Sequence, residues 1–276
     1  MSSPTALSPR PLFAVACAAA TLVAAPAFAS AGSIIITGDE WLVSNQAFTA
    51  NVTQTRRLTD NIEDCFDNGG PALFAVLTSH PIAYNTQFRN RLTSLGNTVV
   101  NNPGGGGPFT LTTLQQYDAV FLAGSAWAGP ANAPALTAYV QGGGHVMVMG
   151  GTSTNGSAAA AWAPFLNTFG LGFGGAYFAV PPGGTPLQIA ATPLPNAATA
   201  GISSVSWSFG STALDLNAAD PLNQVALWGN FSAVTSPTMP GNTQSLPIIA
   251  TWNIPSPGSL AGVAMGLVMA AHRRRK

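Results

Sequence analysis

Two adjacent carboxylates, Asp39 and Glu40, come directly after the apolar segment 33–37 and are followed by Trp41. If this segment is a strand, they lie at the sheet edge where α/β folds bind ligands, and such a pair can hold a divalent cation or a sugar hydroxyl. Adjacent side chains of a strand point to opposite faces, so both reach one ligand only where the chain has turned. The alternatives are a helix-entry cap or a solvated loop. Trp127, after a later apolar segment, is predicted either to line the same crevice or to pack in the core.

A serine and a histidine offer a second kind of chemistry. Ser153 follows the apolar segment 145–149, where a strand–turn–helix elbow can expose a nucleophilic oxygen, although the G-x-S-x-G spacing fails at Asn155. The base would be His80, oriented by Asp39 or Glu40. The alternative is that Ser153 caps the next helix and that His80 is a turn residue. The Gly-rich segments match neither a dinucleotide fingerprint nor a P-loop, so no nucleotide site is expected. No cofactor and no definite metal site are assigned.

Short apolar segments alternate with amphipathic ones through the first half of the chain, which predicts alternating strands and helices. The predicted strands are 33–37, 72–78, 98–101, 119–123 and 145–149, and the predicted helices are 47–66, 85–95, 133–141 and 157–169. Such alternation implies a parallel sheet with helices on both faces. A residue with positive φ in the triple glycine 142–144 is expected to end the third helix.

The second half is predicted to be richer in β structure, because apolar segments there are broken by Pro and Gly. These strands are expected at 177–180, 187–190, 205–209, 224–228 and 248–252, with a loop or linker at 235–245. The sequence therefore predicts an α/β fold with a parallel, doubly wound, flavodoxin-like sheet and a β-rich C-terminal part.

Residues 117–124 read YDAVFLAG and residues 136–151 read LTAYVQGGGHVMVMGG. With this pattern, the block from residue 72 to about 173 resembles the class I glutamine amidotransferase-like fold, also seen in trehalose-utilisation-like proteins. Active members place a cysteine at the turn after the strand equivalent to 145–149, with His and Glu later in the chain. Here that turn reads GGTSTNG, and Cys65, in the first predicted helix, is interpreted as a small buried residue. The resemblance implies the fold without the glutaminase reaction.

The N-terminal segment is typical of a secretory signal. Arg10 precedes an apolar stretch at 12–25, and the small residues Ala27 and Ala29 stand at the −3 and −1 positions of a cleavage site. The alternative is a buried N-terminal helix. Cleavage after Ala29 would leave Cys65 as the only cysteine, so no intramolecular disulfide is expected.

The C-terminal segment has three parts. Ile254, Pro255, Ser256 and Pro257 precede an apolar stretch at 260–271, and the chain ends with Arg273, Arg274, Arg275 and Lys276. Twelve apolar residues form a helix of about 18 Å, shorter than a hydrocarbon core of about 30 Å. The segment resembles the PEP-CTERM sorting signal of exported bacterial proteins, which an exosortase recognises, with Ser256 in place of the usual Glu. The alternative is an unprocessed tail anchor.

Charged residues make up 7% of the chain, against roughly 25% in typical soluble domains. Between the ends, the basic residues are Arg56, Arg57, Arg89 and Arg91, too few for a nucleic-acid-binding patch. The predicted organisation is a signal peptide (1–29), an amidotransferase-like domain (30–234), a final strand and linker (235–253) and a sorting signal (254–276).

The predicted function is that of an exported protein without catalytic activity. It would be held briefly at the inner membrane by the C-terminal helix and then reach the cell surface or extracellular matrix. Its expected partners are signal peptidase, an exosortase-type enzyme and a surface polysaccharide. The alternative is a secreted hydrolase or carbohydrate-active enzyme that uses Ser153 and His80, or the Asp39–Glu40 pair.

Overall fold

Strands and helices alternate through the first half of the domain, and strands dominate the second half. The computed structural model describes residues 32–67, 69–78, 86–101, 108–124, 127–151, 157–179, 186–232 and 245–254. The strands are β1 (Ile34–Thr37), β2 (Leu73–Thr78), β3 (Thr98–Asn101), β4 (Ala119–Ala123), β5 (His145–Met149), β6 (Leu171–Ala179), β7 (Leu187–Pro193), β8 (Ser204–Trp207), β9 (Phe209–Asp215), β10 (Asn223–Asn230) and β11 (Ser245–Trp252). The α-helices are α1 (Asn45–Ala50), α2 (Val52–Phe66), α3 (Thr86–Ser94), α4 (Leu111–Leu114), α5 (Ala133–Gln141) and α6 (Ser157–Leu166), and 3-10 helices cover Glu40–Val43, Asn167–Phe169 and Ala197–Thr199.

The main sheet is mixed. Its strand order is β3-β2-β4-β5-β1-β11-β10-β7-β8, while β6 and β9 form a separate two-stranded ribbon. The five strands from β3 to β1 are parallel, and those from β11 to β8 are antiparallel. The predicted α/β class is therefore confirmed, but the sheet is not parallel throughout. Crossover helices make parallel pairing possible up to β5, and the described residues after α6 include no further α-helix.

The parallel strands are buried on both faces, as the apolar sequence predicts. In β1, Ile35 belongs to the cluster under α1, α2 and α3, whereas Ile34 and Ile36 belong to the cluster under α4, α5 and α6. Helix α2 contributes Leu58, Ile62 and Phe66, which recur at four-residue spacing and therefore share one helix face.

The β6–β9 ribbon packs with the α4–α6 layer. Leu171 and Phe173 of β6 and Ala213 of β9 join the apolar cluster on that side of the sheet. The ribbon therefore belongs to the same core as the parallel strands.

The structure differs from the predicted elements at two instructive points. The helix predicted at 47–66 is two helices, because the chain breaks at Asn51, whose side chain donates a hydrogen bond to Ser204 Oγ (3.0 Å). The strand predicted at 205–209 is divided at Ser208, so that β8 joins the main sheet and β9 joins the ribbon. Gly143 has a φ of 102°, as predicted for the end of α5.

The predicted signal peptide and the sorting signal from Pro255 onward lie outside the described residues, as do Ser153 and His80. Among the helices of the described part, none is long and apolar enough to cross a membrane.

Strand β1 continues into a close backbone contact with the ribbon. Gly38 donates its N–H to Ile248 in β11 (3.0 Å) and accepts the N–H of Ser211 in β9 (2.9 Å). A Cβ at Gly38 would overlap the carbonyl oxygen of Ser211 and lie 3.1 Å from the Trp207 ring. Glycine is therefore required where the ribbon meets the sheet.

Replacing Gly38 by Ala should lower the free energy of unfolding by about 3 kcal/mol, because β9 must move away from β1 to admit the methyl group. The matched control is Gly70→Ala, since a Cβ at Gly70 meets no atom within 4 Å. Chemical denaturation of both variants measures the difference. Equal stability of the two variants would contradict the proposed close contact.

Candidate functional site

The candidate site lies at the carboxyl edge of the parallel strands. Asp39 and Glu40 follow β1, and Gly150 and Gly151 follow the neighbouring β5. The amide of Glu40 donates to the carbonyl oxygen of Gly150 (3.1 Å), which ties the two strand ends together. The predicted nucleophile and base follow β5 and β2 in sequence, but both lie outside the described residues.

Asp39 is completely buried and accepts three backbone hydrogen bonds. Its Oδ1 accepts the N–H of Trp41 (2.8 Å), which makes Asp39 the N-cap of the 3-10 helix Glu40–Val43. Its Oδ2 accepts the N–H groups of Ser208 (2.6 Å) and Phe209 (3.1 Å), at the point where β8 ends and β9 begins. This single carboxylate therefore fixes the start of a helix and the turn between two strands.

Glu40 is also buried, at 1% exposure, but its side chain reaches a different part of the chain. Gly151 has a φ of 93°, and a Cβ there would lie 2.8 Å from Glu40 Oε2. The absence of a side chain at Gly151 thus leaves room for the Glu40 carboxyl group. The two acids therefore make separate contacts, although they are adjacent in sequence.

Burial raises the pKa of both acids. The pKa of Asp39 rises to about 8 through desolvation, even though its three amide donors favour the charged form. The pKa of Glu40 rises well above its ordinary value through desolvation and, second, through the charge of Asp39. Because the amide donors stabilise a charge on Asp39, Glu40 is the acid that keeps its proton to higher pH.

Tyr177 in β6 is the nearby aromatic residue that sequence reasoning missed. Its pKa is raised to about 12, first by burial and then by the charges of Glu40 and Asp39. The half-buried ring stacks on Phe209, with the ring centroids 6.4 Å apart. The sequence gives no signal for this proximity, because β6 reaches the acids through pairing with β9.

The two predicted tryptophans have packing roles. Trp41 is 7% exposed and donates its backbone N–H to Asp39. Trp127 belongs to the apolar cluster on the α4–α6 side and stacks on Phe109, with centroids 5.0 Å apart. The Asn132 side chain donates to Trp127 O (3.1 Å) and accepts the N–H of Phe109 (2.6 Å), which fixes this stack.

Two further titratable residues are held in structural positions. Cys65 is partly buried against the α1–α3 core, and its pKa is raised to about 12, first by burial, so the thiol stays protonated. His145 accepts the N–H of Ser33 at Nδ1 (3.1 Å) and stacks on Phe66. Burial lowers the pKa of His145, which keeps the imidazole neutral.

The arrangement can hold and exchange a proton, but the Asp39 oxygens face the chain's own amides. No group of three or more His, Cys, Asp or Glu side chains in the described ranges is placed to hold a metal ion. Comparison of the chain with protein-family models, with curated proteins and with solved structures finds no match.

The acid pair should make the domain less stable as pH rises. Folded-state pKa values above the ordinary carboxyl range mean that the folded chain binds more protons than the unfolded chain from about pH 4 up to at least pH 8. Glutamine is neutral at every pH, so Glu40→Gln removes the cost of protonating residue 40 on folding. It should raise the free energy of unfolding at about pH 8 by on the order of 2 kcal/mol and have little effect at about pH 5. Urea denaturation at both pH values measures this.

The matched control is Asp39→Asn, which should destabilise the domain at both pH values, because an amide NH₂ would face the N–H groups of Ser208 and Phe209. The lowered pKa of His145 makes the domain more stable as pH rises toward about 6.5, which is opposite to the effect of the two acids. Wild type and both variants all contain His145, so its contribution cancels when their stabilities are compared. An identical pH dependence for wild type and Glu40→Gln would contradict the assignment.

Proposed function

We propose that this chain is an exported protein that acts at the cell surface or in the extracellular matrix without catalysing a reaction. The observation that carries the proposal is the bonding of Asp39, whose two oxygens accept three backbone N–H groups from two parts of the chain. A general base or metal ligand must present an oxygen to a substrate or ion. The acid at this edge instead holds the fold together.

The finer fold assignment is a flavodoxin-like unit of the amidotransferase-like kind. It is supported by four parallel strands in the order β3-β2-β4-β5, which match the first four positions of a 2-1-3-4-5 sheet, and by helices on both faces. The fifth position is occupied by β1, the first strand of the chain. The turn after β5 starts with Gly150 and Gly151 and continues in sequence without a cysteine. Cys65 lies in α2 with a raised pKa, which supports loss of the glutaminase reaction.

Export is proposed from the signal-like segment 1–29 and the tripartite segment 254–276. The structure adds one constraint on processing. Ile254, the first residue of the proposed sorting motif, is 8% exposed and belongs to the apolar cluster on the α1–α3 side. Cleavage by an exosortase-type enzyme is therefore expected on the C-terminal side of Ile254, where it leaves the domain core unchanged.

In a bacterial host with an exosortase, the exported protein should lack the basic end Arg273–Lys276, and its intact mass should place the new C-terminus after Ile254. Pro255→Ala combined with Pro257→Ala should keep the tail, because the motif is lost and the helix-compatible stretch grows longer. Ser256→Glu is the matched control: it restores the usual motif and should still be processed.

Wild-type protein that keeps Arg273–Lys276 in such a host, with the double proline variant behaving identically, would overturn the sorting proposal. A full-length cytosolic product in cell fractionation would overturn export itself.

The second candidate function is a hydrolase. The observation in its favour is topological: β2 and β5 are parallel, so their carboxyl ends, which precede His80 and Ser153 in sequence, share the sheet edge with Asp39 and Glu40. Two acids with raised pKa values are also frequent at active sites.

We expect the purified protein to show no turnover of p-nitrophenyl esters or glycosides above background, and Ser153→Ala and His80→Ala to change nothing. A measured activity that falls by about a thousandfold in Ser153→Ala would instead establish the hydrolase. Glu40→Gln is the appropriate acid variant for this assay, because substitution of Asp39 disturbs the bonds to Trp41, Ser208 and Phe209.

A further inference from the structure

A cavity of about 650 Å³ opens at the amino ends of the parallel strands, whereas the acid pair lies at their carboxyl ends. Trp252, at the end of β11, lies beside the cavity and pairs with Ile34 at the start of β1. Gln141, at the end of α5, contributes another wall. This cavity is therefore distinct from the candidate site described above.

Local hydrogen bonds shape the walls of the cavity. The 3-10 helix Asn167–Phe169 ends at Gly170 with a φ of 67°, and the carbonyl of Gly170 accepts the N–H of Leu216 (2.7 Å). The turn between β9 and β10 is closed by Asp220, whose Oδ1 accepts the N–H of Leu222 (3.0 Å). The two walls are thus joined to each other and are already formed.

The floor of the cavity is aromatic. Phe169 and Trp252 meet edge to face, with ring centroids 4.7 Å apart, and both rings are largely buried. Leu216 and Leu222 stand at the sides with 53% and 43% of their surface exposed. Aromatic and aliphatic surface of this kind packs against the C–H face of a sugar ring.

The rim of the cavity is polar but carries little charge. Gln141, Asn167 and Asn217 provide side-chain amides, Thr168 provides a hydroxyl, and Asp220 provides one carboxylate. Side-chain amides both donate and accept hydrogen bonds, as sugar hydroxyls do. The described residues that line the cavity include no Lys, Arg or His, so an anionic ligand would meet no counter-charge.

A buried amide lies behind the wall of the cavity. Asn223, at the start of β10, is 8% exposed, and its side-chain nitrogen and oxygen find no hydrogen-bond partner among the residues that the structure describes. A Cβ added at Gly170, in the cavity wall, would overlap Asn223 Nδ2, so this amide lies directly against that wall. An unsatisfied buried amide costs stability, and Asn223 is not among the residues that line the cavity.

We propose that this cavity binds a neutral carbohydrate, with the rings of Phe169 and Trp252 under the sugar and the side-chain amides of Gln141, Asn167 and Asn217 bonded to its hydroxyls. The volume lies within the range of small-ligand sites and accommodates a short oligosaccharide. The site itself is independent of the proposed function. The further idea that this cavity contacts a surface polysaccharide rests on the proposed function of an exported surface protein. Export is tested by cell fractionation and binding by titration, so either can fail without the other.

The test is isothermal titration calorimetry of the purified chain with cellotriose, maltotriose, chitotriose and mannotriose, and with trigalacturonic acid as an anionic probe. At least one neutral trisaccharide should bind saturably below about 10 mM, and trigalacturonic acid should not bind. Asn167→Ala combined with Asn217→Ala, two exposed positions where folding is not at risk, should weaken binding at least tenfold. The exposed Gln116→Ala, outside the cavity, is the matched control and should bind as wild type does.

A second variant separates ligand binding from packing. Asn223→Leu removes a buried amide that does not line the cavity, so it should bind the sugar as wild type does while the unliganded protein unfolds at equal or higher denaturant concentration. Absence of binding by all four neutral trisaccharides, preferential binding of trigalacturonic acid, or equal affinity in wild type and the Asn167/Asn217 double variant would each overturn the proposal.

Discussion

The Asp39 carboxylate joins the end of β1 to two other parts of the chain, and the turn between β8 and β9 depends on its hydrogen bonds. Its oxygens accept hydrogen bonds from the backbone N–H of Trp41 in the 3-10 helix and from those of Ser208 and Phe209 at the junction of β8 and β9. Removing the acceptor would leave three buried N–H groups without their partner, which is costly in a site closed to solvent. The close approach of Gly38 to Ser211 is possible because this junction is held in place.

The same features that suggest catalysis at this edge also describe a structural acid. Burial, a raised pKa and a second acid nearby are typical of active sites, but they also arise when a carboxylate caps a helix inside a core. The distinguishing property is whether an oxygen remains for a substrate. For Asp39 the acceptors are bonded to the chain's own backbone, and Glu40 is packed against Gly151 in a site with little exposure. The two acids are therefore closed to solvent where the start of β9 packs against them.

Elements set by local periodicity were predictable from the sequence, and those set by long-range contacts were not. Strands β3, β4 and β5 and helix α5 match their predicted bounds, since each shows a clear apolar pattern between turn residues. The division between β8 and β9 depends on the Asp39 carboxylate, 169 residues before Ser208 in the chain, so the local sequence around Ser208 does not predict it. Likewise, Asp39 and Glu40 were recognisable by their place after a strand, but Tyr177 was not, because its position follows from ribbon pairing.

Strand β11, near the end of the described chain, pairs antiparallel with β1, near its start, and so joins the two at the amino ends of the parallel strands. Asn253 donates its side-chain N–H to Gly32 O (2.8 Å) and its backbone N–H to Leu222 O (2.8 Å), so Gly32, the first described residue, is bonded close to the end of the described chain. Both strands are buried within the sheet, with β5 on one side and β10 on the other. The pairing of β11 with β1 ends at Trp252, which lies opposite Ile34, and Asn253 follows directly. All nine strands described in this sheet lie between Gly32 and Ile254, so the processing proposed above would leave these strands in place.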